Sequence, residues 1–149
     1  MVHRFPRAER RGNRPRFSGF HARPLRARAI EAIRWTPRVV REFAGCQLSE
    51  PKPHVFFEPP ARPVTLARFS RDCARRGLAL DPRTRLLFSG TMFFVNGEAV
   101  AVDRQASALV RTLADRRRLE APLEAPPQFW KLAHAWYAQG FLACAREDE

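Results

Sequence analysis

Apolar and polar positions alternate in three distinct ways along this chain, and the changes mark its parts. Residues 1–24 show no period at all. From Leu25 to Arg34, Leu25, Ala29, Ile30 and Ile33 fall near one face of a helix. Thr36 and Pro37 then open a second helix, because proline fits the first helical turn. Val39, Val40, Phe43 and Ala44 give it an apolar stripe, and Gly45 is expected to stop it. Neither short helix is stable alone. Their stripes need a partner surface, in this chain or in another.

The pattern resumes at Thr65, a good N-cap. Leu66, Phe69, Cys73 and Ala74 repeat at helical spacing as far as Gly77. Three strand-like runs follow, Thr84–Phe88, Thr91–Val95 and Glu98–Val102, with Asn96-Gly97 as a strong hairpin signal between the last two. Asp103 is placed to cap a helix bearing Ala106, Leu109, Val110 and Leu113. A last helix near Gln128–Gln139 presents Phe129, Leu132, Ala133, Trp136 and Tyr137, and ends at Gly140. Phe141-Leu142 offers a short edge strand. The expected core is Leu66, Phe69, Leu109, Leu113, Leu132 and Trp136. This order predicts an α+β fold, a three-helix core with a β-wing of the winged-helix type. The hairpin lies between the first and second helices of the body, which is not the usual order for DNA readers.

Proline divides the chain. Five of the 13 prolines lie between Pro51 and Pro63, where each removes a backbone donor and suits an extended connector. The expected organisation is a basic arm without fixed structure over 1–24, the remnant of a helical bundle over 25–50, a proline-rich linker over 51–64 and a winged-helix-like domain over 65–146. At 149 residues there is room for one ordinary domain and little more.

The charge of +12 belongs mostly to the arm. Residues 1–41 hold twelve arginines against Glu9 and Glu31, a net +10, which leaves 42–149 at +2. Any nucleic-acid affinity is therefore expected only through the basic arm, by phosphate contact. In the body, the cluster Arg116, Arg117 and Arg118 is the candidate nucleic-acid contact, although cations also suit a helix C-terminus.

Other chemistry is sparse. Cys46, Cys73 and Cys144 form no CxxC motif, so neither a disulfide framework nor a zinc site is expected, and reduced thiols in a cytoplasmic protein are the plain reading. His3, His21, His54 and His134 lie in no HxD, HxE or HExxH context, and His134 reads as a packing or surface residue. The serines lack a nucleophile elbow and the glycines form no phosphate loop. No catalytic, cofactor-binding or metal-binding residue is therefore nominated. No apolar run is long enough for a membrane span, and the start has no secretory signal. Phe88, Phe93 and Phe94 read as core before they read as a base-stacking platform.

Several segments together resemble the bacterial JmjC/cupin-type ribosomal oxygenases. They are Ile33-Arg34-Trp35, the run from Val40 to Pro53, and Val55-Phe56-Phe57-Glu58-Pro59-Pro60. Further along, Leu80 to Phe88, Phe93 to Glu98, Leu113 to Arg117 and Trp136 to Leu142 look like successive parts of that family's C-terminal domain. The resemblance runs collinearly from about Leu25 to Leu142. It implies Fe(II)- and 2-oxoglutarate-dependent dioxygenases that hydroxylate an arginine of a large-subunit ribosomal protein. Their order is a catalytic barrel, a helical dimerisation domain and a winged-helix-like domain, with the HxD pair and the distal histidine in the barrel. Nothing before Leu25 looks able to form that barrel, as if a reading frame began inside the gene. The chain is thus expected to be a non-catalytic C-terminal piece, holding no cofactor itself, with a second copy or the missing catalytic domain as partner. The competing expectation is a small basic winged-helix DNA- or RNA-binding protein.

Overall fold

Thr36 starts the first described helix as its sequence predicts: its Oγ1 accepts a hydrogen bond from the Val39 amide at 3.2 Å, and Pro37 occupies the first turn. The computed structural model describes residues 34–145. The arm 1–24, most of the helix expected over Leu25–Arg34, and the end of the chain lie outside the described residues.

Helix α1, Pro37–Ser49, runs past Gly45, which had been expected to stop it. Gly45 is buried inside the helix because the Phe94 ring passes over it with no room for a Cβ. The helix ends instead beyond Ser49, a buried residue whose Oγ donates to the Cys46 carbonyl at 3.2 Å and accepts from the Gly97 amide at 3.0 Å. The end of α1 is thereby pinned to the hairpin turn.

Helix α2, Leu66–Arg76, is capped by Thr65 and closed by Gly77. The chain then enters β1, Leu78–Leu80, followed by β2, Leu86–Ser89, β3, Met92–Val95, and β4, Glu98–Val100. Strands β2, β3 and β4 form an antiparallel meander, with Leu86 opposite Val95 and Val95 opposite Glu98. At its turn Asn96 and Gly97 both have positive φ, 49° and 93°, as the tight hairpin requires. This is the wing. The strand read from Thr84 begins later, because Thr84 is buried and its hydroxyl donates to the Phe141 carbonyl at 2.7 Å.

Helix α3, Ser107–Arg116, is followed by β5, Arg118–Leu119, then helix α4, Pro127–Ala138, and β6, Leu142–Cys144. Asp103 does not cap α3. Its carboxylate accepts from the Gln105 amide at 2.8 Å, and Ala106 stands at the N-cap without a side-chain bond. The aspartate closes a local turn one step before the helix begins. Strands β5, β1 and β6 form a second antiparallel sheet with β1 in the centre. The edge strand expected at Phe141-Leu142 is β6, which begins at Leu142, whereas β1 and β5 are too short to show a period.

The core fills the space between α2, α3, α4 and the two sheets. Phe69, Leu78, Phe93, Val110, Leu113 and Phe129 are its most enclosed members. Of the expected core, Phe69, Leu113 and Trp136 are buried, while Leu66, Leu109 and Leu132 are half-buried. Phe93 and Phe94 are buried and Phe88 is half-buried against the core, as burial rather than base stacking would have them. Phe69 stacks on Tyr137 at 4.9 Å and meets Trp130 and His134 edge-on. The Arg111 guanidinium lies over Phe88 at 4.6 Å and bonds the Gly90 carbonyl, which ties α3 to the wing.

Cys73 and Cys144 form a disulfide, with Cα atoms 4.8 Å apart. This corrects the expectation of three reduced thiols; Cys46 is the free cysteine among the described residues. The pairing spans 71 residues and arises from topology: α2 turns directly into β1, and β1 pairs with β6.

Candidate functional site

Helix α1 has two unlike faces. Gly45 and Ser49 are buried where the helix packs against β2, β3 and β4. Val39, Val40 and Phe43 project on the opposite side and are 37%, 48% and 60% exposed; Trp35, just before the helix, is 55% exposed. Together they form a contiguous apolar stripe on the outer side of α1. It arises because the small residues of α1 serve the wing and the large ones do not.

The arginines nominated from sequence separate in space. Arg116 ends α3 and is exposed. Arg117 adopts a left-handed backbone, φ 63°, and its guanidinium donates to the carbonyls of Asp81 at 2.9 Å and Thr84 at 3.0 Å. Arg118 lies in β5 and pairs with Glu120 at 2.7 Å. The three do not converge on one point, and Arg117 is engaged with the β1–β2 loop.

A cleft of about 380 Å³ lies beside β1 and β6, lined by Glu58, Asp81, Arg83, Tyr137, Leu142 and Cys144 among others. Its charges are largely directed at one another. Arg83 holds Asp81 in a two-pronged bond, Nε to Oδ1 and Nη2 to Oδ2, both 2.9 Å, while its Nη1 donates to the Phe56 carbonyl at 2.8 Å. The Arg83 side-chain bond, opposed by burial, holds the Asp81 carboxyl below its usual pKa. The same bond raises Arg83 further above neutrality. The pair fastens the connector to the body.

Helix α2 carries a further charged surface. On α2, Phe69 and Cys73 point into the core, and Arg68, Arg71 and Arg75 lie along the exposed face. Asp72 sits among them, 3.6 Å from Arg68 Nε and 3.2 Å from Arg75 Nη2. Their spacing of three and four residues was the available signal.

The described residues do not fit an iron centre. The His134 ring is 2.8 Å from the Val64 carbonyl through Nε2, and His54 is an exposed residue of the connector. Among the described residues no group of three or more His, Cys, Asp or Glu side chains could hold a metal. Nor is any described helix long and apolar enough to cross a membrane.

Known proteins place this geometry. The family profile described as "ROXA-like winged helix" matches residues 32–143. The chain belongs to the ROXA-like winged helix family. The α+β winged-helix class and the ribosomal-oxygenase resemblance expected from the sequence are both met by this match. The family match begins ahead of α1, so the helix on the wing and the connector fall within it. Among solved structures, YcfD, a ribosomal oxygenase from Escherichia coli, superposes with a TM-score of 0.62 at 22% identity, over 92% of this chain and 38% of that one. A second crystal structure of the Escherichia coli ribosomal oxygenase YcfD gives 0.63 at 22% identity, over 92% and 37%. YcfD in complex with cobalt and 2-oxoglutarate gives 0.62 at 22%, over 92% and 37%. At this identity the likeness is one of fold. This ROXA-like winged helix spans about 38% of the length of the YcfD chain it matches. No curated protein sequence matches it.

Proposed function

We propose that this chain serves as a non-catalytic, protein-interaction module of the ribosomal-oxygenase type. Its partner is a second copy, engaged through the outward face of α1. The observation that carries the reading is the apolar stripe of Val39, Val40 and Phe43, turned away from the chain's own core. Covering it removes large side chains from water at about 25 cal/mol per Å². The family match supports the non-catalytic part of the proposal, because residues 32–143 are accounted for as winged helix and not as a barrel. Fe(II) and 2-oxoglutarate chemistry, and the ribosomal-protein substrate, then belong to a barrel-bearing protein and not to these residues.

Analytical ultracentrifugation tests the interaction. The chain should sediment as a concentration-dependent dimer, and Val40→Glu with Phe43→Glu should make it monomeric. A wild-type chain that stays monomeric at high micromolar concentration would overturn the self-association reading. Incubation with Fe(II), 2-oxoglutarate and ribosomal-protein peptides should release no succinate above background; turnover would overturn the non-catalytic one.

A further inference from the structure

We propose that Asn96-Gly97, the tip of the wing, is a deamidation site, and that Ser49 at the end of α1 holds it closed. The chemistry is intramolecular. The Gly97 amide gives up its proton to hydroxide, and its nitrogen attacks Asn96 Cγ. The Cγ–Nδ2 bond breaks, ammonia leaves and a succinimide ring closes. Water then opens either imide bond, giving aspartate or isoaspartate. The sum is asparagine plus water to an aspartyl residue plus ammonia, with no change of oxidation state. An Asn-Gly pair suits this step because glycine has no Cβ to obstruct the attacking nitrogen. The tight turn selects the same pair for its positive φ, 49° and 93°, so the residues that make the hairpin also carry the reactive bond.

The fold opposes the reaction at each atom it needs. The Gly97 N–H donates to Ser49 Oγ at 3.0 Å, so the proton that must leave is held. Ser49 is fully enclosed, and its own hydroxyl donates to the Cys46 carbonyl at 3.2 Å, which turns an oxygen lone pair toward Gly97. Glu50 covers the turn from the same side: its Cα stands 3.5 Å from where a Cβ on Gly97 would be. The carboxamide is tied elsewhere. Asn96 Oδ1 accepts from the Arg85 amide at 2.9 Å, and the Asn96 amide donates to the Arg85 carbonyl at 3.0 Å. Nδ2, the leaving atom, is buried without a hydrogen-bond partner, so no group stands by to protonate it as it departs.

Ser49 and Glu50 belong to the end of α1 and not to the hairpin, so the bond is closed only while α1 is seated on the wing. Opening has a structural consequence. Aspartate would place a carboxylate oxygen in the buried position of Nδ2 without a donor. Isoaspartate would add a main-chain atom between Val95 and Glu98, the pair that closes the turn. Either product loosens the wing.

The test is peptide mapping of the full chain by mass spectrometry after incubation in mildly alkaline buffer, read as replacement of the Asn96 NH2 by OH. Folded wild-type protein should deamidate at Asn96 at least about tenfold more slowly than the same chain unfolded in guanidinium. Ser49→Ala should raise the folded-state rate about tenfold, the effect of one lost hydrogen bond to the reacting amide. Hydrogen–deuterium exchange at the Gly97 amide begins with loss of the same proton and should accelerate by a similar factor, while the amides of β3 keep their wild-type exchange. Phe69→Leu, which weakens the core without touching the turn, should leave both rates at the wild-type level. A Ser49→Ala chain that deamidates no faster than wild type would overturn the proposal. So would a Phe69→Leu chain accelerated as much as Ser49→Ala, or wild-type protein that deamidates as fast folded as unfolded, a comparison that needs no variant.

Discussion

The ring of Phe94 lies against the backbone of Gly45, so closely that a Cβ on the glycine would occupy the space of the ring edge. One contact thus joins α1 to the wing, and it sets two physical effects against each other. Glycine inside a helix costs about 1 kcal/mol relative to alanine, so Gly45→Ala should stabilise a free helix. Here Phe94 is buried and hemmed in by neighbouring strands. The substitution should instead destabilise the protein, by about 1–3 kcal/mol, as overpacked sites do. Urea denaturation reads the sign directly. A Gly45→Ala chain more stable than wild type would mean that α1 is not seated on the wing.

The Asp81–Arg83 pair makes an acid-side prediction. The folded pKa of Asp81 lies below its ordinary value, chiefly through the Arg83 side-chain bond. Its contribution is therefore fully present above the unfolded pKa near 3.9 and is lost as pH falls through the folded value. Asp81→Asn should lower stability at neutral pH by about 1 kcal/mol, the scale of a partly exposed pair. It should also flatten the pH dependence below about pH 4. Thermal melts between pH 2 and pH 7 compare the two proteins. Parallel curves would show that the pair adds nothing beyond its neighbours.

Much of this fold was legible because its signals are local. Thr36-Pro37, Thr65 and Asn96-Gly97 each define a terminus or turn within four residues, and each does so in the structure. The parts that were hidden depend on distant residues. Gly45 looks like a helix stop until Phe94, 49 positions on, is placed against it. Strands β1 and β5, of three and two residues, are too short to show alternation. The candidate surfaces divide similarly. The stripe on α1 was visible as apolar periodicity without a partner. The arginine row on α2 is hidden in a nearly neutral body, because a net +2 over residues 42–149 says nothing of where the charges lie.

The disulfide is the most consequential of the non-local features. A bridge closing a loop of this size, 71 residues apart, restricts the unfolded chain by about 4 kcal/mol on the chain-entropy scale. Peptide mapping without reductant should recover Cys73 linked to Cys144 and Cys46 alkylated. Dithiothreitol should lower the melting temperature by roughly 15 °C, and Cys73→Ser with Cys144→Ser should abolish that response. If reduction leaves the melting temperature unchanged, the two thiols are not bonded in solution.

Arg117 offers the sharpest separation of structural from recognition roles, because its neighbours Arg116 and Arg118 share its charge but not its contacts. Its guanidinium gathers the carbonyls of Asp81 and Thr84 at 2.9 and 3.0 Å, across the loop between β1 and β2. Its backbone, at φ 63°, makes the left-handed turn that leads α3 into β5, and its amide donates to the Leu113 carbonyl at 2.9 Å. Arg117→Ala leaves those loop carbonyls without their charged donor, and each such bond contributes about 1.5–3 kcal/mol when made to a charged group. Solvent reaches Arg117, which is exposed, so the net loss should be nearer about 1–2 kcal/mol. Arg117→Lys should restore only part of it, since an ammonium cannot span the carbonyls as a planar fork does. Arg116→Ala, at an exposed site without such contacts, should change stability by less than about 0.5 kcal/mol. Chemical denaturation ranks the three variants. If Arg116→Ala and Arg117→Ala prove equally mild, and both change which duplex sequence the chain prefers, the arginines act in base recognition and the loop contacts of Arg117 are incidental to stability.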